Sequence, residues 1–137
     1  MLKSVLAAAI VAFVMLLVVN AFVFPLVFSG GVPLPYADLR AEPLFGFNIA
    51  AFAVTALLLA LICRQASATT ASGASTLCAL CGLLTALPTT LHTLSMVDIE
   101  PATQIAPVAW TVFTWGIAGS PVGLVLRRFR LSGDLIA

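Results

Sequence analysis

Charge is what this chain has least of. Only 8% of its 137 residues are Asp, Glu, Lys or Arg, while 62% are hydrophobic. A water-soluble domain carries roughly 25% charged residues. There is too little polar surface to cover a globule in water, so lipid is the expected solvent. With a net charge of +1 there is no basic patch for a nucleic acid either. Histidine is scarcer still, with His92 alone, and one imidazole without H-x-x-x-H or E-x-x-H spacing is not a metal site. Walker, G-x-S-x-G and H-E-x-x-H motifs are missing, as is any pair of carboxylates inside an apolar run. No catalytic residue, metal ligand or cofactor is indicated.

Long apolar runs stand in their place. They cover Val5 to Phe28, Leu44 to Cys63, Thr76 to Met96 and Ile105 to Leu126, and none contains Asp, Glu, Lys or Arg. Each reaches the ~20 residues a helix needs to cross a ~30 Å hydrocarbon layer. Helices are the expected form, because lipid offers no partner to a bare peptide group. The first run exceeds the ~7–15 residues of a secretory h-region and no A-x-A-like site closes it, so an uncleaved membrane helix is expected. The reading is an all-α integral membrane protein. Residues 1–137 would form a single domain of four transmembrane helices, at about 5–28, 44–63, 76–96 and 105–126, packed as a small antiparallel bundle.

Orientation follows from where the few charges fall. Of the six Lys and Arg residues, all but Arg40 lie before helix one, after helix two or after helix four: Lys3, Arg64, Arg127, Arg128 and Arg130. Four crossings place these on one side. Asp38, Glu42, Asp98 and Glu100 fall on the other. The positive-inside rule then predicts cytoplasmic termini in a multi-pass protein of the cell membrane, the inner membrane if the source is bacterial. The basic end suits contact with anionic lipid head groups. The segment "RQASATTASGAS" reads as a plain flexible connection, and "SGGVPLPYADLRAEP" as an extracytoplasmic loop with room for one interfacial turn. Pro43 and Pro107 suit the first position of helices two and four.

Small residues recur at helical spacing. Gly116, Gly119 and Gly123 mark helix four as a close-packing surface, and Gly46, Ala50, Ala53 and Ala60 recur on helix two. Lipid gives little hydrophobic reason for helices to associate, so such faces seal a bundle or a contact between chains. Pro88 and Pro121, inside helices three and four, are expected to bend them, with neighbouring Thr89, Thr90 and Ser120 hydroxyls serving freed carbonyls.

Helix three carries Cys78, Cys81, Thr85, Pro88, His92 and Ser95 at alternating spacings of three and four, which predicts a polar stripe facing the bundle. Depth counting puts Asn20, Asn48, His92, Thr111 and Thr114 at a similar outer level. Trp110 and Trp115 would line or roof them, with Phe22, Phe24, Phe45 and Phe47 around. The expectation is an outer-leaflet polar cluster centred on His92, either hydrogen-bonded glue or a ligand site. Cys63, Cys78 and Cys81 fall towards the cytoplasm within apolar helix, where thiols are small packed groups. Size and hydropathy resemble those of many small four-helix bacterial membrane proteins. The small multidrug transporters share both, but their membrane-embedded glutamate is absent here.

The favoured functional expectation is a non-enzymatic accessory or scaffold subunit. Its partners would be the lipid bilayer and other membrane chains or further copies of itself. The alternative is a small-molecule or ion-binding or transport protein using the His92 cluster.

Overall fold

The computed structural model describes residues 2–23, 26, 45–96 and 101–132. Four helices account for nearly all of them, each long and apolar enough to cross a membrane. Helix α1 spans Leu2–Val18 and runs on as a π-helical turn, Val19–Val23. Helix α2 spans Phe45–Gln65, α3 Ala71–Met96 and α4 Pro101–Leu131. The expected interfacial turn, Pro43, and the acidic residues Asp38, Glu42, Asp98 and Glu100 lie outside the described residues, as does Arg40.

The boundaries correct the sequence reading in three places. Residues 64–75 are not a flexible connection: Arg64 and Gln65 belong to α2, Ala71 opens α3, and only 66–70 remain between them. Both ends of this short turn are capped. Ser67 takes a left-handed backbone with φ 53°, which lets its N–H donate to Arg64 O at 3.0 Å and the Ala68 N–H donate to Cys63 O at 2.8 Å. That pair of bonds is a Schellman termination. Thr70 then caps α3, its Oγ1 accepting the Gly73 N–H at 3.1 Å. Secondly, Pro107 is inside α4, not at its start. Pro101 holds the first position, where a missing N–H costs nothing. Thirdly, α4 does not stop at Leu126 but carries Arg127, Arg128 and Arg130 on its final turns, where cations complement the helix dipole.

The most extensive contact is α3 with α4, α1 touches both α2 and α4, α2 also touches α4, and α2 meets α3 only slightly. That last contact is near the 66–70 turn, where Cys63 and Cys78 bring their sulfurs to 3.3 Å. This end will be called the turn end. Helix α1 contributes Val5, Ala8, Ala12 and Leu16 to the core, a spacing of three and four that keeps one face inward. Ala56, Leu59, Ala60 and Cys63 come from α2, Ala74 and Cys78 from α3, and Ala118, Val122 and Leu126 from α4. The core is rich in alanine, so helix backbones stand close together.

Backbone approach is tightest between α3 and α4. A Cβ added at Gly119 would lie 2.6 Å from Ala74 O and 2.7 Å from Cys78 Sγ. One at Gly123 would overlap Thr70 O, and one at Gly82 would lie 3.2 Å from Thr111 O. Hydrogen is the only substituent that fits at Gly119 and Gly123. Their neighbours there are backbone and a buried thiol, which have no flexible end to move aside. On α3 the contact face therefore runs through Ala74, Ser75, Cys78, Ala79 and Gly82.

Substitution separates these glycines from an exposed one. Gly119→Ala or Gly123→Ala should lower stability by about 1–3 kcal/mol through overpacking. Gly46 has nothing within 4 Å of a built Cβ, so Gly46→Ala should stay within about 0.5 kcal/mol. Reversible unfolding in bicelles, followed by tryptophan fluorescence, measures all three.

Candidate functional site

The polar side chains singled out from the sequence separate into a joined pair and several isolated groups. Asn20 and Trp110 are the joined pair. The Trp110 Nε1–H donates to Asn20 Oδ1 at 3.0 Å, tying α1 to α4 across ninety positions of chain. Asn20 lies in the π-helical turn, and its Nδ2 donates to Leu16 O at 2.8 Å. The wider turn displaces the usual partner of a carbonyl, and the amide serves that carbonyl while its oxygen faces Trp110. The Trp110 ring also meets Phe113, with centroids 5.7 Å apart. Trp115 is half-buried against the core.

Thr111 and Thr114 turn back on their own helix. Thr111 Oγ1 donates to Pro107 O at 2.9 Å and Thr114 Oγ1 to Thr111 O at 3.2 Å. Thr114 is buried, Thr111 half-buried and Asn48 exposed. His92 is exposed and does not join the others. The reason is axial register. Thr111 stands opposite Gly82, and the path along α3 from Gly82 to His92 is roughly 15 Å. Counting residues inward from each apolar run misses this, because α4 begins at Pro101, four residues before its apolar run, whereas α3 ends at Met96 as its run does.

The expected inward stripe on α3 is likewise corrected. Cys78 is buried and Cys81 half-buried, but Thr85, Pro88, His92 and Ser95 are exposed. Only the turn end of the stripe faces α4. The exposed hydroxyls satisfy themselves on the preceding turn: Thr85 Oγ1 on Cys81 O and Gly82 O, Thr89 Oγ1 on Thr85 O, Thr93 Oγ1 on Thr89 O, each at 3.0 Å. Ser95 Oγ donates to His92 O at 2.7 Å. Such back-bonding lets threonine face lipid without an orphaned donor.

Among the described residues, no group of three or more His, Cys, Asp or Glu is gathered closely enough to hold a metal ion. The C-x-x-C spacing is not the close pair. Cys78 meets Cys63 of α2 instead, and both are buried. Sequence reasoning also missed a cavity at the turn end that combines Arg64 with Arg130 and the hydroxyls of Ser67 and Thr69. The sole hint was that both arginines follow apolar runs on one side.

The geometry ranks three substitutions. Asn20→Leu should cost about 0.6–1.7 kcal/mol, the range of interhelical polar contacts in membranes, and Trp110→Phe about as much. His92→Leu should stay within about 0.5 kcal/mol, as for exposed positions generally. Denaturation in lipid discs reads the order, and a His92→Leu loss as large as that of Asn20→Leu would restore His92 to a packed cluster.

Against this geometry, no family model matches the chain, and neither a curated protein nor a solved structure is found to be similar to it.

Proposed function

We propose that this chain is a non-enzymatic, multi-pass subunit of a membrane assembly, acting as an accessory or scaffold within a homo-oligomer or a larger complex. One observation carries the reading: helices α2 and α3 leave most of their surface uncovered, and α2 presents a ridge of small residues there. Only 22% of the apolar window of α2 and 17% of that of α3 is buried, against 33% for α1 and for α4. Gly46 and Ala50 are exposed, Ala53 borders the groove that α2 forms with Leu6, Ala9, Ile10 and Phe13 of α1, and Ala60 further along is buried in the core. The spacing of four and three puts Gly46, Ala50 and Ala53 on one helix face. Gly82, Gly116, Gly119 and Gly123, by contrast, are already buried in the α3–α4 contact. A lipid-facing helix has no need of small residues, whereas a partner helix packs closely on them.

Charge supports a placement in the cell membrane with the turn end cytoplasmic. Lys3, Arg64, Arg127, Arg128 and Arg130 all stand at that end, as the positive-inside rule asks. A ~30 Å hydrocarbon layer measured from Arg127 reaches about Pro107 on α4. Register puts Pro107 level with Ala86 on α3, so His92 stands roughly 9 Å beyond the hydrocarbon, among head groups and water. An exposed imidazole is at home there. The binding or transport alternative would need His92 to converge with Asn20, Asn48, Thr111 and Thr114; register separates it from Asn20, Thr111 and Thr114, and Asn48 is on α2, which meets α3 only slightly.

Two experiments bear on this reading. Ala50→Ile places a branched side chain on the ridge and should weaken self-association or partner retention about tenfold or more, a loss of ~1.4 kcal/mol. Unfolding stability should be unchanged. Crosslinking in intact membranes and the size of the extracted complex measure it, and a lone monomer with no partner at any expression level would sink the proposal. Separately, reporters active only outside the cytoplasm should give signal when fused after Gly31 and none after Thr69 or Ala137. Signal from the Thr69 fusion would invert the orientation.

A further inference from the structure

We infer that the turn end carries a binding site for a phosphate-bearing anion, formed by Arg64, Arg130, Ser67 and Thr69. These side chains line one cavity of about 220 Å³ with Leu126 as its apolar wall. They arrive from three elements: the last turn of α2, the 66–70 turn, and the last turn of α4. Two guanidinium groups and two hydroxyl-bearing residues make a donor-rich set. Guanidinium forks match the paired oxygens of a phosphate, and hydroxyls supply further donors.

Arginine at a helix C-terminus is favoured by the dipole whatever else it does. That accounts for the arginines singly. It does not account for their convergence from two helices on one cavity, nor for Ser67. A left-handed residue ending a helix is usually glycine, which adopts this backbone without penalty. Here the position is serine at φ 53°, and the residue lines the cavity. Glycine would serve the turn better and the cavity worse.

The inference rests on the membrane-spanning reading and not on self-association. In that reading the cavity lies where hydrocarbon gives way to head groups. An acidic phospholipid reaches it from the bilayer and a soluble phosphate from the water, and the oxyanion is common to both.

The test uses the full chain extracted into detergent, passed through discs of phosphatidylcholine with or without phosphatidylglycerol, and weighed intact by native mass spectrometry. Retained phosphatidylglycerol should fall roughly 100-fold in R64Q/R130Q, about tenfold or more for the charged hydrogen bonding each arginine loses. The variant K3Q/R127Q removes as much charge outside the cavity. It should change retention at most about twofold at physiological salt, where exposed charges are screened over ~8 Å. Ser67→Gly should lose roughly fivefold while keeping the turn, as expected for one hydrogen bond. It also stands in if R64Q/R130Q proves unfolded by circular dichroism. Lipid retained in the presence of millimolar inorganic phosphate supports a head-group site. Displacement by phosphate, or phosphate bound in phosphatidylcholine alone, supports a soluble ligand in the same site. Equal losses in the two double variants, or no specific retention with either probe, overturn the site. Alkaline extraction from membranes is read separately, so a protein that is not integral fails there first.

Discussion

The close approach of α3 to α4 is the constraint on which the rest of the structure depends. Two helices meet where Gly119 and Gly123 present only hydrogen to Ala74, Cys78 and Thr70. Without a hydrophobic driving force between helices in lipid, dispersion contacts at short range do the work, and short range requires missing side chains. Once Gly82 faces Thr111 and Gly119 faces Cys78, the axial position of α3 on α4 is set to within a residue. The shortness of the 66–70 turn transmits this register to α2, whose Cys63 is thereby held against Cys78. Helix α1 is then located by alanine packing and by the Asn20–Trp110 hydrogen bond.

This arrangement divides the polar residues into two kinds. Threonines on α3 and α4 bond to carbonyls of their own helix, a solution that needs no partner and tolerates lipid. Asn20 cannot finish its hydrogen bonding alone, and the π-helical turn places it where one amide group serves Leu16 and Trp110 together. Polar atoms inside the apolar layer are thus largely committed to structure. The arginine-lined cavity stands at one end, and His92 is exposed towards the other.

The uneven cover of the four helices has a functional meaning in the proposed assembly. Helices α1 and α4 form the spine and spend their small faces inside the chain. Helices α2 and α3 flank it, and α2 offers Gly46 and Ala50 outward. A subunit built this way gives a partner a flat, small-residue face while its own spine stays intact. An anion seated between the ends of α2 and α4 would brace the same flank from the head-group layer.

Composition and run length by themselves determined that the chain is helical with four segments able to span a bilayer, because hydropathy summed over ~20 residues does not depend on how the segments meet. The clustering of Lys3, Arg64 and Arg127 to Arg130 was legible for the same reason, since alternate crossings fix which ends share a side. Register was not legible. An apolar run tolerates sliding by several residues at little cost in hydropathy, so the depth of His92 relative to Thr111 had no value until Gly82 met Thr111. The facing of α3 was likewise hidden, because the spacing of its polar residues does not say how far along the helix the contact with α4 extends. Tertiary structure decided the Cys63–Cys78 contact, the Asn20–Trp110 bond and the joining of Arg64 with Arg130. Each is a meeting of two helices at one height, and height along a helix pair is set by steric fit between their backbones.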